Sequence, residues 1–387
     1  MFRLYGLVIT ICVGLVFTGL AAPANAQEPT PKIKLKASRG SITFGDKVEL
    51  GGRIKPPLPG QQVNIVSDER IVARATTDGK GRYSVKVKPR RNQTFRAQWA
   101  TAVSKKQRVR VKPRVNAHLG KVRLLRKARV HGRVAPAVEG ARPMVRLIEG
   151  NRTVGKKRVK LHKDGRFSTR VRIRSVDPVH AQAMFHPKGL AGAKDRTAAK
   201  APPTPSLSEG SEGAYVKLVE RRLSSLGYPL GRVDDSYDYK TRDAVIAFHK
   251  VQGLPRVGDV ADYTWRALAR PKRPQPVSKD GYHFEIDQTK QVLYIVRKGE
   301  IRTIVHVSTG ANGYTRDGVW TVHRQLDGYS PGRLYHPSYF DGARAVHGWP
   351  DVPTYPASHG CARTPMWIAP WLNDKAYVGM TVRVYHS

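Results

Sequence analysis

The chain has 387 residues, with 69 Lys and Arg against 29 Asp and Glu, a formal net charge of +40, and two cysteines. That length leaves room for three or four separate cores, and so few cysteines exclude a disulfide scaffold. The charge is uneven: residues 27–200 hold 44 Lys and Arg against 11 acidic residues, whereas residues 201–387 hold 24 against 18.

Met1-Phe2-Arg3 precedes an apolar run from Leu4 to about Ala22 and then Ala24-Asn25-Ala26. A positive start, an apolar core and an A-x-A site predict a secretory signal peptide over 1–26. The run is also long enough for an uncleaved membrane anchor. Ile11 before Cys12 argues against lipidation at that thiol, so the exported protein is expected to carry a single thiol, Cys361.

Residues 32–113 and 114–187 read as two copies of one unit. Gly52-Arg53-Ile54, Pro56 and Gly60 recur as Gly132-Arg133-Val134, Pro136 and Gly140; Gly81-Arg82-Tyr83-Ser84 recurs as Gly165-Arg166-Phe167-Ser168. Short strands at regular spacing, with Asp-Gly turns at Asp78-Gly79 and Asp164-Gly165, predict small β-sandwiches. In architecture they resemble bacterial Ig-like modules. A basic field this large ordinarily points to nucleic acid. Here the export signal argues against it, as does the absence of a nucleic-acid motif. The basic residues also alternate with apolar ones, as in Arg108-Val109-Arg110-Val111-Lys112 and Arg170-Val171-Arg172-Ile173-Arg174, which is the pattern of a strand with one solvated face. The expected partners are instead anionic wall polymers or a membrane surface. His118, His131 and His162 lack metal-ligand spacing, and no metal or other cofactor is expected anywhere in the chain.

Residues 188–212 shift to Ala, Pro, Thr, Ser and Gly and read as a linker. The period then becomes helical over 213–270. Val216, Val219, Leu223 and Leu226 mark one face of a helix ended by Gly227. A second helix is predicted with Thr241 as N-cap, Val245 and Phe248 inward and Gly253 as its stop. A short third helix falls around Thr264-Trp265-Arg266-Ala267-Leu268. Leu226-Gly227-Tyr228, Gly231, Val233-Asp234, Thr241, Ala244-Val245, Phe248, Gly253-Leu254 and Thr264-Trp265 resemble the three-helix peptidoglycan-binding module, which implies glycan strands as a ligand. Asp235 and Asp238 replace two glycines of that family's turn, and Asp is expected to tolerate the left-handed backbone there. A second linker, 271–280, leads to a C-terminal domain over 281–387.

That domain holds Ala345-Val346-His347-Gly348 and Ser358-His359-Gly360-Cys361-Ala362-Arg363. A thiol among His, Gly and Arg suits a nucleophile, because a nearby base or cation raises its thiolate fraction. The string resembles the signature of the L,D-transpeptidases (the YkuD-type catalytic domain). Phe284-Glu285-Ile286-Asp287, Gln291–Val296, Thr303–Gly310 and Asp317–Val322 resemble that family's earlier strands. The gap between His347 and Ser358 is shorter than in many members.

The resemblance implies that Cys361 forms a thioester with a peptidoglycan stem peptide and expels a terminal D-amino acid. His347 is the expected base, oriented through the backbone at Gly348, with His359 as the competing candidate. The N–H groups of Gly360 and Cys361 are the expected oxyanion donors. Arg363 either holds a substrate carboxylate or pairs within the fold. Ser358, Tyr335, Tyr339 and Trp349 are expected at the substrate groove, the three aromatics with packing as the alternative. The acceptor fixes the reaction: a stem amine gives a cross-link, water gives an L,D-carboxypeptidase, and a free D-amino acid gives exchange. A non-catalytic wall-binding protein is the alternative of a different class. The whole chain thus reads as multidomain and mainly β: two Ig-like β-sandwich modules, a small three-helix module and a mostly-β catalytic domain.

Overall fold

The computed structural model describes residues 30–387; the predicted signal peptide and Cys12 lie outside the described residues. Two compact units divide the chain.

The first unit is a β-sandwich formed, among the described residues, by 30–112 together with Lys188–Ala191. One sheet holds Lys32–Ala37, Val48–Lys55 and Arg82–Val87; the other is built on Gln93–Trp99 between Gln107–Lys112 and Gln62–Ser67. Alternate residues enter the core, where Leu50, Ile54, Val63, Ile65, Phe95, Val109 and Val111 are all but inaccessible. The intervening lysines and arginines face water, as period-2 geometry requires. Residues 188–191, which composition alone marks as linker, pack on this sandwich: Asn92 N–H donates to Gly189 O and Ala191 N–H to Val111 O.

The second unit begins with the repeat of that sandwich. One sheet holds Arg114–Leu119, Lys127–Ala135 and Arg166–Arg172; the other runs Arg152–Arg158, Met144–Glu149, Val179–Phe185, Ala193–Arg196. Its last strand again comes from the stretch read as a linker. The sequence repeat is a packing repeat. A Cβ at Gly52 would lie 1.7 Å from Lys34 O, and one at Gly132 would lie 1.9 Å from Asn116 O. Arg53 Nε donates to Lys80 O at 2.9 Å, and Arg133 Nε donates to Asp164 O at 3.0 Å.

Three helices follow: α1 (Ala214–Ser224), α2 (Tyr239–Gln252) and α3 (Asp262–Ala269). Gly227 and Gly253 take left-handed backbone after α1 and α2, as the sequence predicts. The start of α2 differs from prediction. Asp238, in extended backbone, accepts from Thr241 N–H at 2.9 Å and is the N-cap. Thr241 lies inside the first turn, buried, with its hydroxyl donating to Glu220 at 2.9 Å. Neither Asp235 nor Asp238 adopts the left-handed backbone expected of a glycine position.

The C-terminal domain has two sheets and one helix. The five-stranded sheet runs Glu300–His306, Val292–Arg297, Tyr282–Asp287, Thr381–Tyr385, Gly318–Thr321. The four-stranded sheet runs Arg324–Gln325, Tyr335–Asp341, Arg344–Trp349, Ala362–Pro365, with α4 (Ala369–Lys375) packed against it. The strand Val292–Arg297 is buried on both faces. Leu293 and Ile295 enter the core of this domain, whereas Val292, Tyr294 and Val296 enter the core of the three helices. Helical module and C-terminal domain therefore share one apolar interior. The segment between them, also read as a linker, is pinned: Gln252 brackets Lys272 through both of its amide groups, and Glu285 accepts from the N–H groups of Val277 and Ser278. Among the described residues no helix is long and apolar enough to cross a membrane, and no cluster of His, Cys, Asp and Glu is suited to a metal.

Candidate functional site

The strands Arg344–Trp349 and Ala362–Pro365 pair in parallel, with His347 opposite Arg363 and Val346 opposite Ala362. Val346 and Ala362 point into the core. Period-2 alternation therefore places Ala345, His347, Trp349, Cys361 and Arg363 together on the other face. Residues far apart in sequence meet because the two strands are neighbours.

His347 is 2% exposed, and its Nδ1 donates to Gly348 O at 2.9 Å. That bond leaves Nε2 as the unprotonated nitrogen of the neutral ring. Burial, and secondarily the charge on Arg363, push its pKa down to about 4 despite the opposing Gly348 bond. Gly348 is a glycine for a packing reason. A Cβ there would lie 2.7 Å from the Ala369 Cβ and 2.9 Å from the Tyr335 ring. Trp349 meets the His347 ring edge-to-face at 5.6 Å, and the Arg363 guanidinium lies over the indole at 5.1 Å. Among the described residues no carboxylate pairs with Arg363, which is half-buried against the Trp349 ring.

Cys361 Sγ accepts from Ala345 N–H at 3.4 Å and lies 3.9 Å from Ala343 O. Burial pushes the thiol pKa up, opposed by the Ala345 N–H and then by the charges on Arg363 and Arg344. No hydrogen bond joins it to His347. The resting pair is a neutral thiol beside a neutral imidazole, not a preformed ion pair. Alkylation of Cys361 by iodoacetamide is accordingly expected to be slow at pH 7 and to rise about tenfold per pH unit to beyond pH 9. A rate that levels off near pH 7 contradicts this reading of the thiol.

The turn carrying the thiol is held from below. Ser358 Oγ accepts from Gly360 N–H at 3.0 Å and donates to Cys361 O at 2.6 Å. Two expectations change as a result. Ser358, 3% exposed, shapes the turn and does not face the groove. The Gly360 N–H is already committed, which leaves Cys361 N–H as the free backbone donor of the two, since it has no turn or loop partner. Gly360 has φ +124°, and a Cβ there would lie 2.7 Å from Arg344 Nε. Tyr339 is also reassigned. It is 5% exposed with Arg324 stacked over its ring at 4.2 Å, and it serves packing. His359 is exposed and has no hydrogen-bond partner among the described residues. Tyr335 packs on Gly348 and meets the Tyr329 ring at a tilt, with centroids 4.9 Å apart.

Several supporting residues escape sequence reasoning. Arg344 Nε donates to Tyr314 O at 2.7 Å and its Nη1 to the buried Asp341 at 3.1 Å, which also holds Arg316. Thr315 Oγ1 accepts from Gly310 N–H and donates to Gly360 O at 2.8 Å. Gln291 clamps Thr309, whose carbonyl accepts from the N–H groups of Ala357 and Ser358. Gln291, Thr309 and Gly310 fall in stretches that resemble the family's strands, but nothing in the sequence signals these contacts.

The deepest support comes from α2. Lys250 Nζ, in a residue 3% exposed, donates to Gln291 O at 2.9 Å, Val307 O at 2.9 Å and His306 Nδ1 at 2.6 Å. His306 Nε2 donates to Val352 O at 2.8 Å, and Arg256 donates to Thr354 O at 2.8 Å. The loop between His347 and Cys361 is thus tied to the helical module at two points.

The model of the L,D-transpeptidase catalytic domain (YkuD) matches residues 281–384, and that of the peptidoglycan binding domain matches residues 212–268. A crystal structure of residues 123–326 of the L,D-transpeptidase of Xylanimonas cellulosilytica is 37% identical, aligning 48% of this chain with 100% of that solved chain at a TM-score of 0.45. The chain belongs to the L,D-transpeptidase family. The L,D-transpeptidase of Stackebrandtia nassauensis is 24% identical over 49% of this chain and 98% of that one, with a TM-score of 0.31. One from Mycobacterium tuberculosis is 17% identical over 27% of this chain and 58% of that one, with a TM-score of 0.25. No curated protein matches the chain. In this transpeptidase, then, a peptidoglycan-binding module shares its core with the catalytic domain.

Proposed function

We propose that this cell-wall transpeptidase cross-links peptidoglycan through a thioester on Cys361. His347 Nε2 takes the thiol proton as Sγ attacks the carbonyl joining the L-centre of a diamino acid to the terminal D-residue of a tetrapeptide stem. The tetrahedral oxyanion faces the Cys361 N–H. Collapse breaks the C–N bond, His347 returns the proton to the departing D-amino acid, and the acyl group stays on sulfur. A neighbouring stem's side-chain amine then attacks the thioester and loses its proton to His347; the C–S bond breaks, the Cys361 thiolate takes that proton back, and an amide bond between two diamino-acid residues remains. Arg363, unpaired and laid over Trp349, suits a stem carboxylate.

The observation that carries this reading is the shared face of His347, Cys361 and Arg363, with Nε2 of the imidazole left unprotonated by the Gly348 bond. Cleavage of the leader and residence in the wall belong to the same proposal. The helical module would hold glycan strands beside the groove; a cleft there is lined by Tyr239 and Arg242 on one side and Tyr335 and Trp367 on the other. Chromatography with mass detection of a purified tetrapeptide stem incubated with residues 27–387 tests the reaction. A dimer lacking one D-residue is the expected product. Tripeptide alone makes the protein an L,D-carboxypeptidase, and incorporation of an added D-amino acid makes it an exchange enzyme. An unchanged stem leaves a wall-binding protein.

A further inference from the structure

Six arginines line one concavity of the second unit: Arg152, Arg172 and Arg174 from the sandwich, Arg222 from α1, and Arg270 and Arg273 after α3. Arg222 is the half-buried member. Its Nε donates to Leu268 O at 3.0 Å, which fixes the guanidinium and leaves its terminal nitrogens free. Arg270 pairs with Glu149 at 2.9 Å. Among the described residues, none of the other five has a carboxylate partner. Burial, then the charges on Arg273, Arg174 and Arg172, push the Arg222 guanidinium down from its usual value, so these side chains feel one another. Crowding of like charge around the anchored Arg222 guanidinium is destabilising until an anion enters.

We propose that this concavity is a binding site for a phosphate-bearing anion, either a phosphodiester polymer or a phospholipid headgroup. A single carboxylate offers one charge and two oxygens to five unpaired forks. A phosphate offers oxygens in several directions, and guanidinium groups converging from the sandwich, α1 and the segment after α3 match that shape. The site lies at the seam of the sandwich and the helical module, so an anion bound there ties the catalytic half to an anionic layer. Its existence does not depend on the chemistry at Cys361, and its failure would leave that chemistry untouched.

The test uses residues 27–387 at 0.15 M salt with tripolyphosphate as probe, read by calorimetry and by thermal shift. One variant carries Arg172→Ser, Arg174→Ser and Arg273→Ser, all at exposed positions outside the core. A charge-matched control carries Arg108→Ser, Arg110→Ser and Lys112→Ser on the exposed face of the first sandwich. Parent and control are expected to bind equally well. The concavity variant is expected to bind at least tenfold more weakly, while melting no lower than the parent without ligand. Arg273→Ser alone, which lies in no helix or strand, should give a smaller, graded loss. Equal weakening in concavity variant and control would show a diffuse charge field, and no binding to the parent would remove the site altogether. Poly(glycerol phosphate) and phosphatidylglycerol vesicles then separate the two sources. Arginine-dependent binding of either supports the site and names its ligand; binding of neither by the parent overturns it.

Discussion

Lys250→Met is expected to lower the melting temperature by roughly 5–10 °C and to lower transpeptidase activity at temperatures where the variant is still folded. The methionine side chain fills most of the volume but donates no hydrogen bond. Gln291 O, Val307 O and His306 Nδ1, all met by Nζ in the parent, lose their donor in a buried interior. Leaving one buried acceptor unsatisfied costs about 1–3 kcal/mol, so a loss on the order of 3 kcal/mol is expected after partial relaxation. Activity suffers because Gln291 also clamps Thr309, and Thr309 O holds Ala357 and Ser358 just ahead of the nucleophile. The same cluster sets a pH dependence of stability. Burial holds Lys250 well below 10.5 and His306 well below 6.5 in the fold. The unfolded chain therefore binds more protons below those values, and stability falls as pH drops. The His306 share is intact above about pH 6.5 and is lost on acidification below it. Calorimetric scans between pH 5 and 8 check both points. A variant that melts with the parent at every pH would show that the lysine ties nothing.

His347→Gln is expected to lower kcat roughly 10²–10⁴-fold while leaving KM for the stem and the melting temperature nearly unchanged. Glutamine can retain a donor toward Gly348 O, but it has no nitrogen that accepts the thiol proton. With the His347 pKa near 4, the parent should lose activity only as the pH approaches 4 from above, where the imidazole becomes protonated and can no longer act as a base. That acid limb should disappear in the variant, whose residual rate should follow the thiol alone. The exposed His359 serves as comparison: His359→Gln is expected to retain most of the parental kcat. If the two variants exchange these behaviours, the base is His359.

Much of the active face was legible because its residues sit close together in two short strings, and because the resemblance they carry is to a family whose chemistry needs them. The parallel register then explains why His347 and Arg363 meet. The place of Ser358 is not legible, because a serine ahead of a Gly-Cys turn looks the same in sequence whether its hydroxyl faces substrate or the turn's own backbone. The role of Lys250 could not be read. A lysine near the end of an amphipathic helix ordinarily marks the solvated face, yet in α2 every residue from Asp243 to Gln252 is buried. Helical periodicity reports the face turned toward a module's own core, and it is silent when a second domain covers the polar face. The same limit applies to 188–212. Its composition is that of a linker, but Ala193–Arg196 completes a sheet through backbone hydrogen bonds that any side chains would permit.

Intact-protein mass measurement of residues 27–387, and of the Cys361→Ala variant, after brief exposure to a tetrapeptide stem bears most directly on the thioester. The expected result is a gain equal to the stem minus its terminal D-residue, present in the parent, absent in the variant and removed by hydroxylamine. The same gain in the variant, or product released by the variant at the parental rate, would contradict Cys361 as the nucleophile.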